Sequence, residues 1–235
     1  AVGGVLGLVA FITTQLRSLH PIWTPSLFSS RSFSVIHSVT FAFYAALSGA
    51  LVILVLCLQV FSGWTALRAG TATLPLSVVM LLLASRFGTL ATKIGARPLM
   101  IGGPLVAATG FVLMSMTPSH PSFIVHVLPG VALLGLGLAM TVAPLTAGVL
   151  AAAPDELAGT ASGVNNAVAR TAGLIAVAAL PALVGLSGSE YADATRLAPA
   201  YRTALLICAA AMLAGSALTA LGLPRRRATP AVALG

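Results

Sequence analysis

Six long apolar stretches, at 39–61, 69–85, 98–116, 123–150, 160–186 and 201–223, fill most of this sequence. A helix needs about 20 apolar residues to cross the hydrocarbon core of a bilayer. Inside lipid, a helix satisfies its own backbone polar groups. The chain is therefore expected to be an all-α integral membrane protein. Composition agrees: 58% of residues are hydrophobic and 7% charged, with a mean hydropathy of +1.05, whereas a soluble domain carries about 25% charged residues.

The formal charge of +8 does not indicate nucleic acid. Phosphate-binding residues gather on one polar face, and here the basic residues punctuate apolar runs. Cys57 and Cys208 each stand alone in an apolar stretch, without a Cys or His at ligand spacing, so neither a disulfide framework nor a metal site is expected. No cofactor motif is present.

Between the second and third stretches lies Gly88-Thr89-Leu90-Ala91-Thr92-Lys93-Ile94-Gly95-Ala96-Arg97, which reads as a tight, glycine-punctuated basic turn. Lys and Arg near span ends are retained in the cytoplasm. With that turn inside and sides alternating, eight basic residues fall inside (Arg17, Arg31, Arg86, Lys93, Arg97, Arg225, Arg226, Arg227) and three outside (Arg68, Arg196, Arg202). Arg170 remains within the fifth stretch. Asp155 and Glu156 are expected to cap the start of that stretch.

Pro75, Pro129, Pro144 and Pro181 lie inside stretches, so kinked and mutually packed helices are expected, as in a transporter rather than an anchor. Residues 1–16 read as a truncated transmembrane helix, since the apolar segment is too short to span and has neither the basic start nor the cleavage site of a signal peptide. Residues 17–38, rich in Ser and Pro and holding His20, Arg31 and His37, read as a cytoplasmic connector. Residues 39–223 form a six-helix domain and 224–235 a cytoplasmic tail. The chain reads as the C-terminal part of a longer protein, and its two sets of three helices suit an inverted repeat in half of a secondary transporter.

Several motifs carry a family resemblance. Leu58-Gln59, the run 63–70 (Gly-Trp-Thr-Ala-Leu-Arg-Ala-Gly), Leu74-Pro75-Leu76 and the basic turn resemble the major facilitator superfamily, and within it the fourteen-helix drug:proton antiporters. Gly88, Leu90, Lys93, Gly95 and Arg97 match that family's loop signature, while Thr92 stands where the signature has an acid. The resemblance continues through Leu128-Pro129-Gly130, Gly135-Leu136-Gly137-Leu138, Ala143-Pro144-Leu145 and 159–170, and reaches back to the leader 17–33.

The resemblance implies alternating access, in which two six-helix halves rock about a cavity and proton entry drives a small amphipathic molecule out of the cell. It implies a bacterial plasma-membrane location with the C-terminus cytoplasmic. The partners are then the substrate, protons, the lipid bilayer and the N-terminal half of the same transporter. Gly130, Gly135, Gly137, Gly159, Gly163 and Gly173 offer small faces for helix packing or gating. Phe41, Tyr44, Gln59, Asn165, Asn166 and Arg170 are the substrate-cavity candidates, with the Asn165-Asn166 pair the best of them. Arg170 lies about 15 Å into its span, either facing a hydrated cavity or, if the helix starts near Val164, snorkelling to the headgroups.

All four acids, Asp155, Glu156, Glu190 and Asp193, fall outside the stretches, so the proton-coupling carboxylate is expected in the other half. His126 reads as an interfacial residue. An intramembrane serine protease built on Ser162 is disfavoured, because every His precedes it and none sits where a triad needs one. The alternative to a transporter is a non-transporting six-helix scaffold or a channel-like homodimer.

Overall fold

A computed structural model describes residues 13–14, 30–118 and 121–223. The truncated-helix and tail readings, and the connector up to residue 29, therefore lie outside the described residues, except that Thr13 and Thr14 are helical. The described residues form helices and no strand. In order they are α1 (Arg31–Ser62), α2 (Ala66–Thr71), α3 (Leu74–Ile94), α4 (Ala96–Ser115), α5 (Leu128–Ala151), α6 (Ala158–Leu183) and α7 (Ala194–Gly222). A π turn, Phe123–Val127, leads into α5, and 3₁₀ turns lead into α6 and α7. With α2 and α3 taken together, six spans are long and apolar enough to cross a membrane.

Capping sets boundaries that hydropathy does not see. Helix α1 starts at Arg31, within the polar segment read as connector, because the Ser30 side chain accepts from the Phe33 amide. Helix α7 starts at Ala194 rather than near 201, because Asp193 accepts from the amide of Thr195 at 2.8 Å. The Asp193 carboxyl is held below its usual range, first by the Thr195 hydroxyl. Asp155 and Glu156 do not cap α6 with their side chains; they form the 3₁₀ turn that precedes it.

The decapeptide 88–97 is not a turn. It is helical through Ile94 and again from Ala96, broken only at Gly95, whose φ of 91° is a left-handed conformation that L side chains avoid. Thr89 and Thr92 return their hydroxyls to the carbonyls of Ser85 and Thr89. Pro75 sits in the first turn of α3, where no amide donor is needed, and Pro129 sits at the start of α5, directly after the π turn. Pro104, Pro144, Pro181 and Pro199 are the interior prolines.

The main packing pairs are α1 with α6 and α7, α5 with α3 and α4, and α4 with α7. Exchanging α1, α3 and α4 for α5, α6 and α7 reproduces the same set. Register fixes the directions. Helices α1 and α6 are parallel, with Thr40 at Asn165 and Ser48 at Gly173. Helices α5 and α3 are likewise parallel, with Gly135 at Leu76 and Ala143 at Gly88. The pairs α1–α7, α4–α5 and α4–α7 are antiparallel, since Gly222 meets Val35, Gly110 meets Gly130 and Ser216 meets Ile101. Equivalent helices thus run in opposite directions, which defines two inverted three-helix repeats.

Helices α4 and α5 touch backbone to backbone. A Cβ on Gly137 would stand 2.6 Å from the Gly103 carbonyl oxygen, and one on Gly110 would stand 2.7 Å from that of Gly130. A Cβ on Gly135 would stand 2.8 Å from the Leu76 carbonyl oxygen of α3, and one on Gly173 would stand 2.7 Å from the Ser48 hydroxyl. Gly159 and Gly163 differ from the expectation: a Cβ at either meets nothing within 4 Å, so they face outward from this bundle. Between the helices lies an apolar core containing Phe43, Phe111, Met114, Leu134, Leu205 and Met212.

This contrast yields a stability test. Gly137→Ala forces atoms into a closed contact and is expected to cost about 1–3 kcal/mol, lowering the thermal midpoint measured in detergent, whereas Gly163→Ala leaves that midpoint unchanged. Equal midpoints for the two variants would contradict the backbone contact.

Candidate functional site

Polar groups inside the spans mostly bond back to their own helix. Ser216, which donates to the Ile101 carbonyl across α7 and α4, and the seam between α1 and α6 depart from this. Thr40, fully buried, places its Oγ1 3.0 Å from the Ile36 carbonyl and 2.9 Å from Asn165 Oδ1. Its one proton serves one of these oxygens. If it goes to Ile36, the Asn165 amide turns to donate to Thr40, and both groups are satisfied.

The adjacent amides of the best sequence candidate are separated by the helix. Asn165 turns into the α1 seam and is part-buried, while Asn166 is exposed. Asn166 shares its face of α6 with Gly159, Gly163 and Arg170, all exposed except for the helix that carries them. Arg170 stands at the midpoint of α6, which begins at Ala158 and not near Val164. The late start on which the snorkelling account depends is therefore absent. On α1, Tyr44 lies midway between Thr40 and Ser48, whose contacts with Asn165 and Gly173 set it level with Ala169, the neighbour of Arg170.

The other candidates do not join this cluster equally. Tyr44 is half-buried and packs edge-on to Phe43 at 6.0 Å between ring centroids. Phe41 is 41% exposed, one position from Thr40 and turned away from it. Gln59 donates to the Val55 carbonyl of its own helix at 3.2 Å, near the opposite end of α1.

The loop residues serve a second site, at the bundle end that holds the start of α1. Here Arg97 donates to the Ala220 carbonyl and Arg31 to that of Leu221, so two cations cap the C-terminus of α7, where the helix dipole favours positive charge. Lys93 and Arg86 are exposed, Leu90 is half-buried, and Gly88 lies within α3 against Ala143. A cavity of about 1070 Å³ opens beside Arg97, lined also by Ser30, Ser32, Thr92 and Gly95. At the other end Arg68 lies over the Trp64 ring, 4.4 Å from its centroid. His126 accepts from the Ser122 amide at 3.0 Å, at the lip of the π turn.

Sequence reading missed Thr40 and Arg31. Thr40 looks like any threonine in an apolar run, and its partner lies 125 positions away. Arg31 sits in a segment whose helicity depends on the Ser30 cap. Among the described residues no three His, Cys, Asp or Glu side chains gather as metal ligands.

Six packed spans arranged as inverted repeats, with a polar seam in the first half of α1 and α6, define a multi-pass membrane protein of the transporter type. The Major Facilitator Superfamily model matches residues 2–178, and the chain belongs to that family, which places it among transporters rather than enzymes. It is 28% identical over 162 residues to the multidrug resistance protein Stp of Mycobacterium tuberculosis, covering 69% of this chain and 30% of that protein. It is 30% identical over 234 residues to the lincomycin resistance protein of Streptomyces lincolnensis, covering 98% and 48%. It is 31% identical over 196 residues to the probable actinorhodin transporter of Streptomyces coelicolor, covering 80% and 34%. The chain thus spans less than half the length of each.

The seam is testable by a double-mutant cycle. Thr40→Val and Asn165→Leu are expected to couple by about 0.6 kcal/mol, the average for interhelical hydrogen bonds in a bilayer, when unfolding is followed in mixed micelles. Strict additivity would remove the seam bond.

Proposed function

We propose that this chain is the C-terminal half of a proton-coupled exporter of small amphipathic molecules, working by alternating access against a second six-helix half. One observation carries the reading: the two helices at the edges of the bundle are uncovered. Only 6% of the α2–α3 span window and 17% of the α6 window is buried, against 44–56% for the other four. On the uncovered side of α6 stands Arg170. Facing lipid at that depth costs an arginine about 2.5 to 3.5 kcal/mol even on insertion scales. A second half laid against α3 and α6 turns the same position into the wall of a hydrated cavity.

The half-length match to the lincomycin resistance protein supports this division, and relatives described as multidrug and antibiotic resistance proteins support small-molecule export. Tyr44, Asn165, Asn166 and Arg170 are then the polar part of the substrate wall, with Phe41 and Gln59 further candidates at its margins. Gly159 and Gly163 provide a small-residue track for a helix of the opposing half. The carboxylate that takes the proton belongs to that half, since this chain's acids lie outside the helices or at their first turns. Arg31 and Arg97 hold one end of the bundle together by capping α7, and Gly95 permits the sharp passage from α3 to α4. Because that end also carries Arg86 and Lys93, it faces the cytoplasm under the positive-inside rule, as does the C-terminus. The membrane is the bacterial plasma membrane.

Two experiments test the reading. Reconstituted alone, the chain inserts but drives no proton-dependent dye accumulation in vesicles, and joined to the upstream half it does. Accumulation by the chain alone would refute the half-transporter reading. A cysteine at Ser189 reacts with an impermeant thiol reagent on intact cells and one at Thr229 does not; the reverse pattern would invert the topology.

A further inference from the structure

Among the described residues, no acidic side chain stands beside Arg170. The four acids of the sequence stand away from it: Asp155 and Glu156 lie about 21 Å back along α6 at 1.5 Å per residue, and Glu190 and Asp193 lie beyond its other end. The architecture does not demand a cation at this position either. The α2–α3 span is the inverted-repeat equivalent of α6, and both spans run 29 residues, Ala66–Ile94 and Asp155–Leu183. Counted from the starts of these two spans, the position in α3 that corresponds to Arg170 is Leu81, which is 82% exposed. Of two equivalent edge helices, one carries an aliphatic side chain at mid-depth and the other a guanidinium.

The surroundings of Arg170 suit a ligand oxyanion. Asn166 is one helical turn earlier on the same exposed face and offers an amide donor. Gly163 and Gly159 continue that face with nothing within 4 Å of a built Cβ, so there is room for a molecule of some breadth. On α1 the register set by Thr40 at Asn165 and Ser48 at Gly173 brings Tyr44 level with Ala169, next to Arg170 in the chain, and the Tyr44 phenol adds a hydroxyl donor and an aromatic ring. A planar guanidinium with flanking donors binds a carboxylate through two parallel hydrogen bonds.

We propose that Arg170, with Asn166 and Tyr44 beside it, receives the carboxylate of the transported molecule, so that this half selects amphipathic acids over their neutral analogues. The proposal rests on the transporter reading above and names its substrate class. The same chemistry has a second source, a carboxylate side chain of the opposing half, and the assay separates the two.

The probes are 9-anthracenecarboxylate and its neutral analogue 9-anthracenemethanol. Binding is titrated by fluorescence to this chain in nanodiscs, and export is followed in inverted vesicles holding the chain joined to its upstream half. Wild-type chain is expected to bind the acid at least tenfold more tightly than the alcohol. Arg170→Ala and Arg170→Leu, the second copying Leu81, lose that tenfold for the acid and leave the alcohol unchanged. Arg170→Lys falls between, because it keeps the charge and loses the fork. Thermal midpoints matching wild type establish that the variants are folded, and Arg170→Leu serves where Arg170→Ala does not fold.

No preference for the acid in wild-type nanodiscs, or an acid affinity unchanged by both substitutions, overturns the proposal. So does equal loss of acid and alcohol export with nanodisc affinities intact, the signature of a carboxylate in the opposing half. Absence of export by the wild type with the nanodisc difference preserved overturns the transport reading and leaves the anion site standing.

Discussion

A bilayer gives apolar helices no solvent reason to meet, because lipid tails are as apolar as leucine, so association rests on how closely the helices fit. In this protein the fit is closest where α4 and α5 bring their backbones together at Gly103, Gly110, Gly130 and Gly137. That contact seats α5 beside α4, and α4 in turn holds α7, which holds α1. The two edge helices, α3 and α6, are attached to this block mainly by one neighbour each, α5 and α1. The uncovered surfaces of the bundle, and with them Arg170 and Asn166, therefore follow from which helices have glycines to share.

Hydrogen bonding plays the complementary part. Ser38, Thr109, Thr141, Thr146, Thr203 and Thr219 all spend their hydroxyls on carbonyls four residues back in their own helices. Few polar bonds are left to cross between helices within the spans, Thr40 to Asn165 and Ser216 to the Ile101 carbonyl among them. A seam with so few directional ties resists sliding mainly through shape. Such a seam can be rearranged at small cost.

The fold was legible in the sequence to the extent that it depends on hydropathy. Six apolar stretches gave six spans, and the motifs around Gly63, Gly95 and 159–170 pointed to the family. Hydropathy erred where local bonding set the structure. The Ser30 and Asp193 caps extend α1 and α7 into polar sequence, and threonine back-bonds carry α3 through a segment that reads as a turn. Gly95 alone makes the break there, a fact stored in one dihedral angle. The candidate site was half legible. Arg170 and the asparagines stood out as polar groups in an apolar run, but which asparagine faces α1, and that Thr40 is its partner, depends on the rotation of α6 about its own axis. The small-residue periodicity of Gly159 and Gly163 looked the same as that of Gly130 and Gly137, since a sequence marks a small face without saying whether a neighbour fills it.

The exchanged packing of the two repeats bears on how the protein is made. Helix α1 finds its principal partners in α6 and α7, so the Thr40–Asn165 contact joins residues 125 apart and the Arg31–Leu221 contact joins residues 190 apart. At ribosomal speeds of about 5–20 residues per second, α1 waits about 6 to 25 seconds in the membrane before Asn165 is even synthesised. Through that interval its buried face, including Thr40, must be shielded by something other than its final neighbours, and premature release from the insertion machinery would leave that face open to the wrong partners.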